Sequence, residues 1–132
     1  MSINRVTLAI FAPLLILVGI LGFVLPAENS PTSGAAPYNV FHMAFGVIGL
    51  LTLLTKHDIA AAAFNLIFGL VDLYQFLASK ADLFPKGYFH WKAGDDVLHI
   101  VIGTMLVLIG IYGLMTNRPV PIRERRSRPL LH

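Results

Sequence analysis

The sequence predicts an all-α integral membrane protein, a four-helix bundle made of two repeated helical hairpins. Three observations predict it. Of 132 residues, 56% are hydrophobic and only 13% charged, whereas an ordinary soluble domain carries roughly 25% charged residues. The apolar residues gather into four runs of roughly 18–22 residues, the length that at ~1.5 Å per residue crosses a ~30 Å hydrocarbon core. The runs are continuous rather than alternating, which argues against a transmembrane barrel. The same composition excludes a disordered chain. The absence of cysteine removes disulfide scaffolds, thiolate chemistry and iron–sulfur ligation.

The first span covers residues 6–25 and carries Pro13 inside it, which a membrane helix tolerates with a mild kink. Its apolar stretch is longer than the core of a signal peptide, and residues 25–27 lack a small-x-small cleavage pattern, so it reads as a retained helix. A polar linker, residues 26–37, follows and reads as flexible. The second span covers residues 38–55. Lys56, His57 and Asp58 form a tight turn, making the second and third spans antiparallel neighbours. The third span covers residues 59–79. The next linker, residues 80–94, holds Phe84, Tyr88, Phe89 and Trp91, aromatics that favour the membrane–water interface. The fourth span covers residues 95–116. Residues 1–117 thus form the membrane domain, and residues 118–132 a basic tail.

Four spans put both termini and the Lys56 turn on one side. That side holds Arg5, Lys56, Arg118, Arg123, Arg125, Arg126 and Arg128, against Lys80, Lys86 and Lys92 on the other. The excess places both termini in the cytoplasm by the positive-inside rule, in a bacterial plasma membrane. The arginine tail reads as a topology signal that also meets anionic lipid. It lacks the interleaved aromatics of a nucleic-acid binder, so no nucleic acid is expected as a partner.

The second and fourth spans begin alike. Asn39, Val40, His42 and Gly46 align with Asp96, Val97, His99 and Gly103. The first and third match more weakly, as Gly19-x-x-Gly22 against Gly69-x-x-Asp72. Two hairpins in the same orientation would be related by an axis along the membrane normal.

Helical spacing sorts the polar residues into stripes. Tyr38, His42, Gly46 and Gly49 share one face of the second span, and Asp95, His99, Gly103 and Gly110 one face of the fourth. Asn65, Gly69, Asp72, Gln75 and Ser79 lie along the third, and Gly19 and Gly22 along the first. Small residues permit close helix approach and polar ones avoid lipid, so these faces point into the bundle. His42, His99 and Asp72 then stand near one level. Three readings fit them. In the first, His42, Asp72, Gln75 and His99 form a structural polar cluster, with Asp72 hydrogen-bonded to one or both histidines. In the second, His42 and His99 are axial ligands of a tetrapyrrole, haem b or a chlorophyll. In the third, His42, His99 and Asp72 bind a metal ion or relay protons. Asn39 and Asp96 read as helix-start residues, capping or favouring the dipole. His57 and His90 fall in a turn and a loop and read as solvated.

The stretch Asn39-x-x-His42-x-x-x-Gly46-x-x-Gly49-Leu50, with Asp96-x-Leu98-His99 opening a last helix and Gly22-Phe23 closing the first, resembles a family of small four-span bacterial membrane proteins. That family is classed as domain of unknown function 4383. The resemblance covers residues 6–116 and departs at Asp72. It implies a four-helix membrane bundle and carries over no activity or cofactor. No nucleotide-binding loop and no nucleophile–base pair is present. The sequence therefore predicts a non-enzymatic membrane protein. It would act as an accessory or scaffold subunit of a larger membrane complex or as a homo-oligomer, with a tetrapyrrole carrier as the alternative.

Overall fold

The computed structural model describes residues 1–117 of the chain; the arginine tail lies outside them. Four long helices form a bundle: α1 (Ile3–Val24), α2 (Ala36–Leu54), α3 (Asp58–Ala81) and α5 (Ala93–Thr116). Each is long and apolar enough to cross a membrane, as in a multi-pass membrane protein. A short helix, α4 (Lys86–Phe89), and a 3-10 turn (Ala27–Asn29) lie in the two loops at one end, called here the lid end. The other end carries the N-terminus, the Lys56 turn and the close of α5.

Local chemistry starts α1, α2 and α5. The Ser2 hydroxyl accepts from the Arg5 amide at 3.2 Å, satisfying one of the free N–H groups of a helix start. Pro37 occupies the first turn of α2, where its missing N–H costs nothing and its fixed φ is already helical. At α5 the Asp95 carboxylate accepts from the Lys92 amide at 2.8 Å. Capping there is thus the work of Asp95. Asp96 faces Lys80 instead, at 3.1 Å. Asn39 does not cap α2 either: its side-chain amide donates to the Gly34 carbonyl at 2.8 Å, one turn before the helix is established. Pro13 leaves α1 continuous, because a membrane helix can re-satisfy or shield the freed carbonyl.

The helices pack as two hairpins, α1 on α2 and α3 on α5, with lighter contact between them. Small residues set the spacing. A methyl group on Gly46 would meet the Ala12 carbonyl at 2.8 Å and the Ile16 amide at 3.0 Å. One on Gly103 would meet the Gly69 carbonyl at 3.0 Å and Leu73 at 3.1 Å. Ala12 and Gly69, Ile16 and Leu73, Gly46 and Gly103, and His42 and His99 are all separated by the same number of residues in the chain. This register pairs Gly69 with Ala12 rather than with Gly19, because Gly19 packs against Asn39 and Met43 of α2.

α3 is the hub: 44% of its apolar window is buried, against 22% for α1. Between the hairpins lies an aromatic core. Phe68 of α3 is fully buried and meets Phe11 at 5.9 Å, Phe45 at 5.2 Å and Phe64 at 5.9 Å, centroid to centroid. The outer faces are aliphatic and exposed, with Ile10, Leu51, Ile67 and Leu108 among them. A bilayer satisfies such faces without helix–helix contact.

Toward the termini the hairpins are tied by buried amides. Asn65 donates to the Asn4 side chain at 2.9 Å, and Asn4 donates to the Ile109 carbonyl at 3.0 Å. This clamp joins α1, α3 and α5, and a Cβ at Gly113 would strike the Asn4 amide. Hydrogen bonds of this kind within a membrane bundle are worth about 0.6–2 kcal/mol each.

Candidate functional site: a polar cavity beneath the lid

The two lid-end loops interlock. Lys92 donates from its ammonium to the Ala27 carbonyl at 2.5 Å and the Ser30 carbonyl at 2.9 Å. The Ser33 hydroxyl donates to the Phe89 carbonyl, and Tyr74 donates to the Phe84 carbonyl at 2.7 Å. The linker of residues 26–37, which the sequence reads as flexible, therefore has bonds to the second loop at Ala27, Ser30 and Ser33. Phe89 is buried against Tyr38 at 6.1 Å, Phe41 at 5.3 Å and Trp91 at 5.7 Å. The aromatic linker thus folds inward as a lid, with Phe84 and Tyr88 left exposed at the level where interfacial aromatics settle.

Below the lid, between the hairpins, is a cavity of about 190 Å³. His42, Asp72 and His99 all line it, with Tyr38 and Thr32 toward the lid. The rest of the wall is apolar, including Phe11, Leu15 and Phe68. Leu14 on α1 and Leu98 on α5 also line it and are 47% and 43% exposed on the outside. The accessible side therefore lies between α1 and α5, which meet toward the termini at Asn4, Ile109 and Gly113. Leu15 and Asp72 are separated in the chain by the same number of residues as His42 and His99, as are Phe11 and Phe68. Asp72 is the polar member of an otherwise apolar pair.

The hydrogen bonds around the cavity correct the expected network. Asp72 is paired with neither histidine. Its Oδ1 accepts from the Gln75 amide at 3.5 Å, and Gln75 accepts from the Trp91 indole at 3.3 Å. Trp91 in turn meets the His99 ring edge-on at 6.2 Å. Asp72 packs its Cβ against Gly103, one turn along α5 from His99. Tyr38, one turn before His42, donates to Asp95 Oδ1 at 2.5 Å. That bond joins α2 to α5 at the lid end as the asparagines join the hairpins at the other.

His42 is 5% exposed and stacks on Tyr38 at 4.1 Å. Its Nδ1 is 2.7 Å from the Tyr38 carbonyl. A carbonyl only accepts, so Nδ1 carries the hydrogen, and in the neutral ring Nε2 is left with a lone pair. Among the described residues Nε2 has no partner. His99, 4% exposed, has an unpartnered Nδ1.

No group of three His, Asp or Glu among the described residues converges to hold a metal ion. His42, His99 and Asp72 share a cavity but do not converge on one point as a coordination site requires. A tetrapyrrole does not fit between the two histidines: pockets for drug-sized ligands span roughly 300–1,000 Å³, well above this cavity. His57 and His90 are exposed, as their places in a turn and a loop predict.

Sequence reasoning missed Asn4, Thr32 and Ser33, which lie outside the four runs or at their edge and have no periodic signal. It assigned Trp91 to the interface and not to the Gln75–His99 contact. No protein-family model, no curated protein and no solved structure matches the chain.

Proposed function

We propose that the chain is a small non-enzymatic protein of a bacterial plasma membrane that holds one lipid-soluble molecule in the cavity between its hairpins. The observation that carries this reading is the cavity. Three polar side chains, each at least 95% buried, line an otherwise apolar space, with unpartnered nitrogens on both histidines. Buried polar groups normally find partners, and intramembrane ionisable residues mark functional positions. A bound molecule supplying those partners accounts for both.

The wider reading follows from the sequence. The arginine excess supports cytoplasmic termini, which puts the lid on the opposite face. The shared register of the hairpins supports descent from one duplicated unit, and the histidine motifs support kinship with the family classed as domain of unknown function 4383. The aliphatic outer faces suit lipid and a larger membrane complex alike.

The test is small-molecule analysis of protein purified from its own membrane in mild detergent, by native mass spectrometry. The expected result is about one non-bulk lipid-soluble molecule per chain and no Soret band. Val18 lines the cavity, so Val18→Phe narrows it, and the molecule should be depleted in that variant. A chain that carries only bulk lipid, with no difference in Val18→Phe, refutes the reading.

A further inference from the structure

Resting on the pocket reading above, we propose that the cavity takes the head of a lipid-soluble phenol or quinol, a single ring whose hydroxyl donates to Nε2 of His42. The argument is a count of donors and acceptors facing the cavity. His42 has its Nδ1–H committed to the Tyr38 carbonyl at 2.7 Å, so its free nitrogen accepts. The Tyr38 hydroxyl is committed to Asp95. The Thr32 hydroxyl is 3.2 Å from that of Ser30. Gln75 has its amide directed at Asp72 Oδ1, and His99, whose Nδ1 has no partner among the described residues, carries one N–H in its neutral ring. The cavity is thus offered a lone pair on His42 and an N–H on His99, and a hydroxyl, which both donates and accepts, complements the two. A carbonyl or ether oxygen would leave the lone pair on Nε2 of His42 unpaired.

Size and walls narrow the class. An apolar cavity of about 150 Å³ holds benzene, so about 190 Å³ holds one substituted ring and no fused system. Phe11, Tyr38 and Phe68 give that ring aromatic neighbours, which favour edge or offset contacts. An alkyl tail leaves between Leu14 and Leu98, which line the cavity and are exposed on the apolar outer face.

The experiment uses the full chain in phosphatidylcholine nanodiscs, with 4-hexylphenol and its methyl ether, 4-hexylanisole, as probes. Binding is read by the fluorescence of Trp91, the single tryptophan, which contacts His99. The expected result is saturable binding of the phenol about tenfold tighter than the ether, the ratio one hydrogen bond provides. His42→Leu should bring the two probes level. Equal affinities in the native chain overturn the donor assignment while leaving the pocket reading intact. Failure of both probes to bind defeats the pocket reading and this one together. If His42→Leu keeps the tenfold preference, His42 is not the acceptor. If that variant does not fold, the comparison of the two probes on the native chain decides alone.

Discussion

Gly69 and Gly103 show how little room single residues have between α3 and α5. A Cβ on Gly69 would come within 2.8 Å of both the Gly103 carbonyl and the Val107 amide. Both obstacles are backbone, so no rotamer change relieves the clash and the helices must separate. Gly69→Ala should therefore destabilise the bundle by about 1–3 kcal/mol, the usual cost of overpacking. The thermal midpoint in detergent should fall accordingly, and an unchanged midpoint would show that α3 and α5 pack less closely than described. Gly87, with nothing within 4 Å of its Cβ position, is the control. Asp72 depends on the same contact, since it lies one turn from Gly69 and packs against Gly103. Widening that interface moves the carboxylate in the cavity.

Among the elements, the lid is held by few bonds. Lys92 links the second loop to two carbonyls of the first, and the Ser33 hydroxyl adds one bond to Phe89. Hydrogen bonds from a charged donor contribute about 1.5–3 kcal/mol when shielded and less when exposed, and Lys92 is half-buried. Lys92→Met keeps the length and apolar stem of the side chain and removes the donor. Amide exchange across residues 26–35 should then speed up by about five- to thirtyfold, the factor that one to two kcal/mol represents. Exchange in α1 and α3 should stay slow. Uniformly faster exchange would mean that Lys92 supports the whole bundle rather than the lid. Because Thr32 and Tyr38 both border the cavity, a looser lid should also admit small ligands faster.

For the whole molecule, the bundle is two hairpins joined at three levels: the asparagine clamp toward the termini, the phenylalanine core and the Tyr38–Asp95 bond under the lid. The cavity lies between the last two. Its orientation in the membrane is open to a direct test, since the chain has no cysteine. Glu28 and Lys56 are exposed at opposite ends. In intact cells an impermeant maleimide should label Glu28→Cys, and Lys56→Cys only after lysis. The reverse pattern would place the lid in the cytoplasm and the termini outside.

The amino-acid sequence by itself determined the number of spans, their limits to within a few residues and the faces that turn inward. Those features follow from local quantities, namely apolar run length and the helical period, which hold whatever the neighbours do. It also set His42 and His99 at matching positions, because both are the seventh residue of their helices. It did not determine the pairing of Asp72, which went to Gln75 and not to an imidazole. A stripe says which side of a helix faces inward, but the rotation that brings one side chain to another depends on contacts such as Gly103 with Asp72. Nor did it show the lid. Ser33, Phe89, Trp91 and Lys92 have no shared periodicity and are brought together only when both hairpins are in place. The cavity is likewise a product of tertiary structure. Its walls come from α1, α2, α3 and α5 together, and no single helix encodes that space.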